Sequence, residues 1–169
     1  MNYQGILYRA VDPKYWHRPL SGEGAAAQAQ RFNARGVPAL YTAADPQTVL
    51  REKMQEGLLQ PLLIVAIRAE AGLLFDARDA AALAEYGMSP HEIGQEDWRD
   101  EAAREGLSQG QRLAEALRAA GYPGMVVPSY AEGATARDVN LVFWRWGVAG
   151  GARLEVVDDA GCLPAGARA

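Results

Sequence analysis

The amino-acid sequence predicts a single α+β domain. Segments rich in strand formers lie at both ends, capped helical segments concentrate in the middle, and no sustained strand-helix-strand alternation joins them, which argues against a doubly wound sheet. The length of 169 residues, with 49% hydrophobic and 22% charged residues, fits one domain with its own core. That domain is expected to span 1–158, with an Ala/Gly-rich flexible tail over 159–169.

The opening GILYRAV alternates and is rich in β-formers, which predicts a strand with Arg9 near its end. DPKYWHRPLSGEGAAAQAQ holds two prolines and two glycines, so it reads as an irregular loop with a short helical turn in its Ala/Gln run. RFN (31–33) reads as a short extended piece, NARG as a turn ending at Gly36, and ALYTA as a strand. Asp45-Pro46 is a helix start, since the carboxylate caps free amides and proline at the first position loses no hydrogen bond; that helix is expected to run to about Gly57. Leu62 to Ile67 reads as a buried strand. Two short helices follow in the acidic region, the second opened by a capping box at Ser89 and Glu92. Ser108 and Gln111 repeat the box before an amphipathic helix that carries Leu113, Ala116, Leu117 and Ala120 on one side and ends at Gly121. MVV, VNLVFWRW and RLEVV complete the strands.

Charge excludes some functions. Lys/Arg against Asp/Glu count eight to five over residues 1–68, three to ten over 69–105 and six to six over 106–169, giving +3, −7 and 0. With a pI near 5.2 the chain lacks the basic footprint of a nucleic-acid binder. One cysteine, Cys162, and two histidines, His17 and His91, build neither a disulfide framework nor a typical structural zinc site. No apolar run is long enough to cross a bilayer and the N-terminus lacks a signal-peptide pattern, so the expected location is cytoplasmic.

GEGAAA (22–27) satisfies G-x-G-x-x-A in form, but Pro19 interrupts the strand that a dinucleotide fingerprint needs before it. Ser129 in VPSY lacks nucleophile-elbow glycines. Arg9, Arg31 and Arg35 read as solvated surface charges, with Arg31 the exception: an extended RFN would turn Arg31 and Asn33 to one side, near Tyr41. A guanidinium fork with a phenol nearby suits a phosphate or carboxylate ligand. Glu52 falls opposite an apolar stripe of Leu50, Met54 and Leu58 on the helical wheel, which reads as a solvated glutamate, although its place on a helix entered by Asp-Pro is compatible with a carboxylate facing back over the strand. Trp144 and Trp146 read as core or partner packing.

YRA at 8–10, PLSGEGA at 19–25, RFN at 31–33, GVPALYTA at 36–43, Glu52, GYPGMVVPS at 121–129 and NLVF at 140–143 form an ordered set. Together they resemble the RES-domain toxins of bacterial RES-Xre toxin-antitoxin modules, a family named for an arginine, a glutamate and a serine. Arg31, Glu52 and Ser129 match those positions, with RFN standing where RWN is frequent. The resemblance implies an ADP-ribosyltransferase-like fold and NAD as a substrate, with no cofactor and no metal. It implies either breakdown of NAD, by hydrolysis or phosphorolysis, or transfer of ADP-ribose to a protein such as phosphoribosyl-pyrophosphate synthetase. A cognate Xre-type antitoxin covering the active-site mouth is the implied partner. The alternative is a degenerate module that holds a nucleotide or a partner without turning it over.

On the implied chemistry, breaking the nicotinamide-ribose bond builds positive charge on the sugar, which a carboxylate stabilises. Glu52 is then expected to face the ribose. Arg31 with Arg9 would clamp the pyrophosphate, Tyr41 would stack on or bound the nicotinamide, and Ser129 and Asn140 would hydrogen-bond the nucleotide. Arg31, Asn33 and Tyr41 would cluster as the grip on the dinucleotide.

Overall fold

The computed structural model describes residues 1–55, 57, 59–164 and 167. Among the described residues there are seven strands: β1 (Tyr3–Val11), β2 (Leu40–Ala43), β3 (Leu63–Ala71), β4 (Phe75–Asp76), β5 (Gly124–Pro128), β6 (Val139–Phe143) and β7 (Arg153–Val156). The helices are α1 (Glu23–Ala27), α2 (Pro46–Gln55), α3 (Ala80–Ala84), α4 (Pro90–Gly94), α5 (Trp98–Glu105) and α6 (Gln109–Ala119), with a 3-10 turn at Pro13–Tyr15. The strands form one sheet in the order β4-β5-β6-β2-β1-β3-β7. Only β4 and β5 run parallel, and all other neighbours are antiparallel. The α+β expectation therefore holds, with a single mixed sheet.

Strand alternation gives that sheet two faces. Tyr8 pairs with Ala43, Ala43 and Val127 with Asn140, and Tyr41 with Val142, so these side chains share one face. Behind that face Phe75, Leu83, Ile93, Leu113, Leu117, Met125, Val142 and Trp144 form one core. Leu7, Leu40, Ile67, Leu141, Phe143, Leu154 and Val156 form the second core on the opposite face.

Both predicted capping boxes are present, Ser89 with Glu92 and Ser108 with Gln111. The Asp45 carboxylate accepts the Gln47 amide at 2.7 Å, as the helix start requires. Several boundaries differ. β3 is longer than the six-residue run, and its first residues Leu63 and Ile64, which alternate to opposite faces, are both exposed, so the start of the strand is not buried as expected. The acidic region holds three helices instead of two, and the two-residue β4 carries too little pattern to be seen in sequence. Ala116 and Ala120 are exposed, so the buried side of α6 is Leu113, Ala114 and Leu117. Leu58, part of the predicted apolar stripe, lies outside the described residues, as do four residues of the predicted tail.

Candidate functional site

The RFN segment is not a strand. Gln30 and Asn33 exchange backbone hydrogen bonds at 3.1 and 3.3 Å, so Arg31 and Phe32 sit at the tip of a tight turn and point apart. Phe32 is buried in the helical-side core. The turn is held from every side. The Trp144 indole donates to Phe32 O at 2.8 Å, the Gln111 amide donates to Gln30 O at 2.9 Å, and the Phe32 amide donates to the Tyr41 hydroxyl at 3.1 Å. Gly110 on α6 lies so close that a Cβ would stand 2.7 Å from Arg31 O.

This packing changes two sequence expectations. Asn33, only 1% exposed, uses its whole amide internally: Nδ2 donates to the carbonyls of Ala25, Val37 and Ala34, and Oδ1 accepts from the Tyr41 hydroxyl at 2.8 Å. It has no free group for a ligand, and it does not share a face with Arg31, because a two-residue turn has no strand alternation. The Tyr41 hydroxyl is likewise occupied, and burial pushes its pKa well above the ordinary phenol range. Only part of its ring is left to offer to a ligand.

Arg31 is different. Its guanidinium donates to Gln95 O at 2.5 Å and stands over the Tyr130 ring, 4.7 Å from the centroid, so two contacts restrain the side chain. Desolvation lowers its pKa, opposed by Tyr130 and by the carboxylate of Glu52, which is therefore within its electrostatic reach. Arg31 lines a cavity of about 570 Å³ with Gln55, Glu96, Trp98, Arg99, Tyr130, Ala131 and Glu132. That volume is in the range of small-molecule sites. Gln55 stands one turn beyond Glu52 on α2, so the cavity reaches from the Arg31 turn to the end of that helix.

Glu52 is not a solvated glutamate. The Ser129 hydroxyl and the Asn140 amide both donate to its Oε1 at 2.6 Å, and among the described residues none donates to Oε2. The helical wheel misled because α2 buries Thr48 and Val49, while Met54 of the predicted apolar stripe is 63% exposed. Glu52 stands four residues beyond Thr48 and so shares its inward side. A polar face that turns inward toward polar partners leaves no hydrophobic signal in sequence.

Arg9 stands apart. It pairs with Val65 and, by alternation, points to the face opposite Asn140. Its Nη2 donates to Ser21 O at 3.0 Å, whereas Nη1 is buried without a partner. Desolvation lowers its pKa to about 10, so it is charged at neutral pH. The ladder between β1 and β2 is the single pair Tyr8 and Ala43. No hydrogen bond connects Arg9 with Arg31, Glu52, Ser129 or Asn140.

Sequence reasoning missed Tyr130, the platform under Arg31, and Asp138, a buried carboxylate next to Asn140's strand. The adjacent placement of Tyr130 after Ser129 was the only available signal for the first. Among the described residues no group of three or more His, Cys, Asp or Glu side chains is arranged to hold a metal ion. No described helix is long and apolar enough to cross a membrane.

A family model described as the RES domain matches residues 6–165. No curated protein matches the chain. Among solved structures, the MbcT-MbcA toxin-antitoxin complex of M. tuberculosis contains a chain similar to this one, with 22% identity and a TM-score of 0.61. The alignment covers 95% of this chain and 87% of that one.

Proposed function

The chain belongs to the RES-domain family, and on that premise we propose that it is the toxin of a toxin-antitoxin pair and cleaves the nicotinamide-ribose bond of NAD. One observation carries the reading: Ser129 and Asn140 converge on a single oxygen of Glu52, in the field of Arg31, and no other described residue donates to the second oxygen. Two neutral donors on one oxygen fix the carboxylate without neutralising it. A fixed anion suits a reaction that builds positive charge on a sugar carbon.

In the proposed reaction the bond from ribose C1′ to the nicotinamide nitrogen breaks, and its electron pair leaves with nicotinamide, which becomes neutral. Glu52 Oε2 supports the cationic sugar and orients the incoming nucleophile, which is water, phosphate or a protein side chain. Ser129 acts as a positioning group, since its hydroxyl proton is directed at Glu52. Arg31, placed over the Tyr130 ring, meets the pyrophosphate. Arg9 is the second proposed pyrophosphate contact, since a partly buried cation with an unbonded, buried nitrogen favours an anion. The exposed part of the Tyr41 ring bounds the nicotinamide, while its hydroxyl fixes the Arg31 turn. The partner is an Xre-type antitoxin closing the cavity mouth. The RES fold is shared with a chain solved in a toxin-antitoxin complex, which supports that assignment.

The test is to incubate the purified chain with NAD and identify products by mass spectrometry, with and without phosphate and cell extract. Free nicotinamide with ADP-ribose, with its 1″-phosphate or with a modified protein is the expected result and identifies the nucleophile. NAD that stays intact under all conditions contradicts the reading.

A further inference from the structure

A second carboxylate is bonded to the helix that carries Glu52. Asp138, 6% exposed, accepts hydrogen bonds from the Thr48 hydroxyl at 2.8 Å and from the amide and hydroxyl of Thr135, both at 2.8 Å. It also forms an ion pair with Arg51, whose side chain is 38% exposed. Thr48, Arg51 and Glu52 all belong to α2, whereas Asp138 and Asn140 straddle the start of β6.

The two elements match in register. Thr48 and Glu52 are four residues apart, a rise of about 6 Å along a helix. Asp138 and Asn140 are two residues apart, about 6.6 Å along a strand and on one face. Thr48 therefore meets Asp138 where Glu52 meets Asn140, and α2 is fastened to β6 at two successive points. The second donor to Glu52 joins the same assembly, because the Ser129 amide donates to Asp138 O at 2.7 Å while its hydroxyl holds Glu52. Arg51 offsets the charge of Asp138.

We propose that Asp138, clasped by Thr48, Thr135 and Arg51, is the positioning residue that sets the Glu52 carboxylate against Ser129 and Asn140. It touches no substrate and acts through α2. Its catalytic consequence rests on Glu52 facing the ribose, whereas its structural consequence does not. Misplacement of a catalytic group by 1 Å costs up to about 10²-fold in rate, so a loosened α2 lowers turnover more than binding.

The experiment compares the full parent chain with Asp138→Asn and with Thr48→Val, which is isosteric and provides the second arm should the first not fold. Crystal structures of parent and variants, and kcat and KM for NAD, are measured together. The expected result is loss of at least one contact of Glu52 Oε1 with Ser129 Oγ and Asn140 Nδ2, with kcat lower by about tenfold or more and KM within a few-fold of the parent. Variants that keep both contacts, or that turn over NAD at the parental kcat, overturn the proposal. A parent that leaves NAD intact refutes the cleavage reading alone, and the Glu52 contacts in the variant structures then decide the role of Asp138.

Discussion

At the residue scale, the site is built from side chains whose types are common and whose partners are distant. Ser129 and Asn140 lie 77 and 88 positions from Glu52, and each reaches the same oxygen at 2.6 Å. A hydrogen bond to a charged group contributes about 1.5–3 kcal/mol. Ser129→Ala is therefore expected to slow nicotinamide release by about ten- to a hundredfold and to lower the thermal midpoint by several degrees. Release by Ser129→Ala at the parental rate would show that this donor does not tune the carboxylate. Arg31→Lys keeps the charge but loses the planar fork over Tyr130, and the expected outcome is a raised KM for NAD. The matched residue types made Arg31, Glu52 and Ser129 legible as a set. Their contacts were not legible, because spacing along a chain carries no record of which strand a helix packs against. Asn33 illustrates the converse: a polar residue next to Arg31 in sequence is a bracket for the turn, since its amide is wholly consumed by the chain around it.

At the element scale, local chemistry was readable and orientation was not. The caps at Asp45, Ser89 and Ser108 form as their residue types dictate. α2 could not be oriented from its wheel, because its inward side carries Thr48, Arg51 and Glu52 toward polar partners instead of an apolar stripe. The Arg31 turn depends on α6 approaching without a side chain at Gly110. Gly110→Ala forces a Cβ against the Arg31 carbonyl and Phe32, and overpacking of this kind costs about 1–3 kcal/mol. Urea unfolding should show that loss, and an unchanged midpoint would mean that the turn yields freely. The clasp on α2 also predicts an acid response. The amide of Thr135 and the hydroxyls of Thr48 and Thr135 draw the Asp138 pKa down to about 2. A depressed carboxylate stabilises the fold fully above its unfolded pKa, near 4, and that contribution fades as pH falls through the folded value. The stability difference between parent and Asp138→Asn should therefore be widest above pH 4 and narrow toward pH 2. A difference that is constant over that window would contradict the assignment.

At the scale of the whole molecule, the α+β class followed from the order of segments, whereas the sheet order did not. Placing β1 between β2 and β3, and β5 between β4 and β6, requires pairings far apart in sequence, and the parallel contact of β4 rests on two residues. That order is what carries Arg31, from the turn before β2, and Glu52, from the helix after it, to one side of the sheet with Asn140. A dinucleotide bound there bridges the turn and α2, so it should stabilise the folded chain as a unit. For Glu52→Gln, which is expected to hold NAD without consuming it, a hundredfold excess over Kd stabilises by about 2.7 kcal/mol. For a chain of this size that amounts to a rise in Tm of about 5–10 °C, and no rise at saturating NAD would count against the site. The most direct measurement is nicotinamide release by Glu52→Gln beside the parent at equal NAD occupancy. A fall of about a hundredfold or more is predicted for a carboxylate that supports the cationic sugar, and release at the parental rate would contradict it.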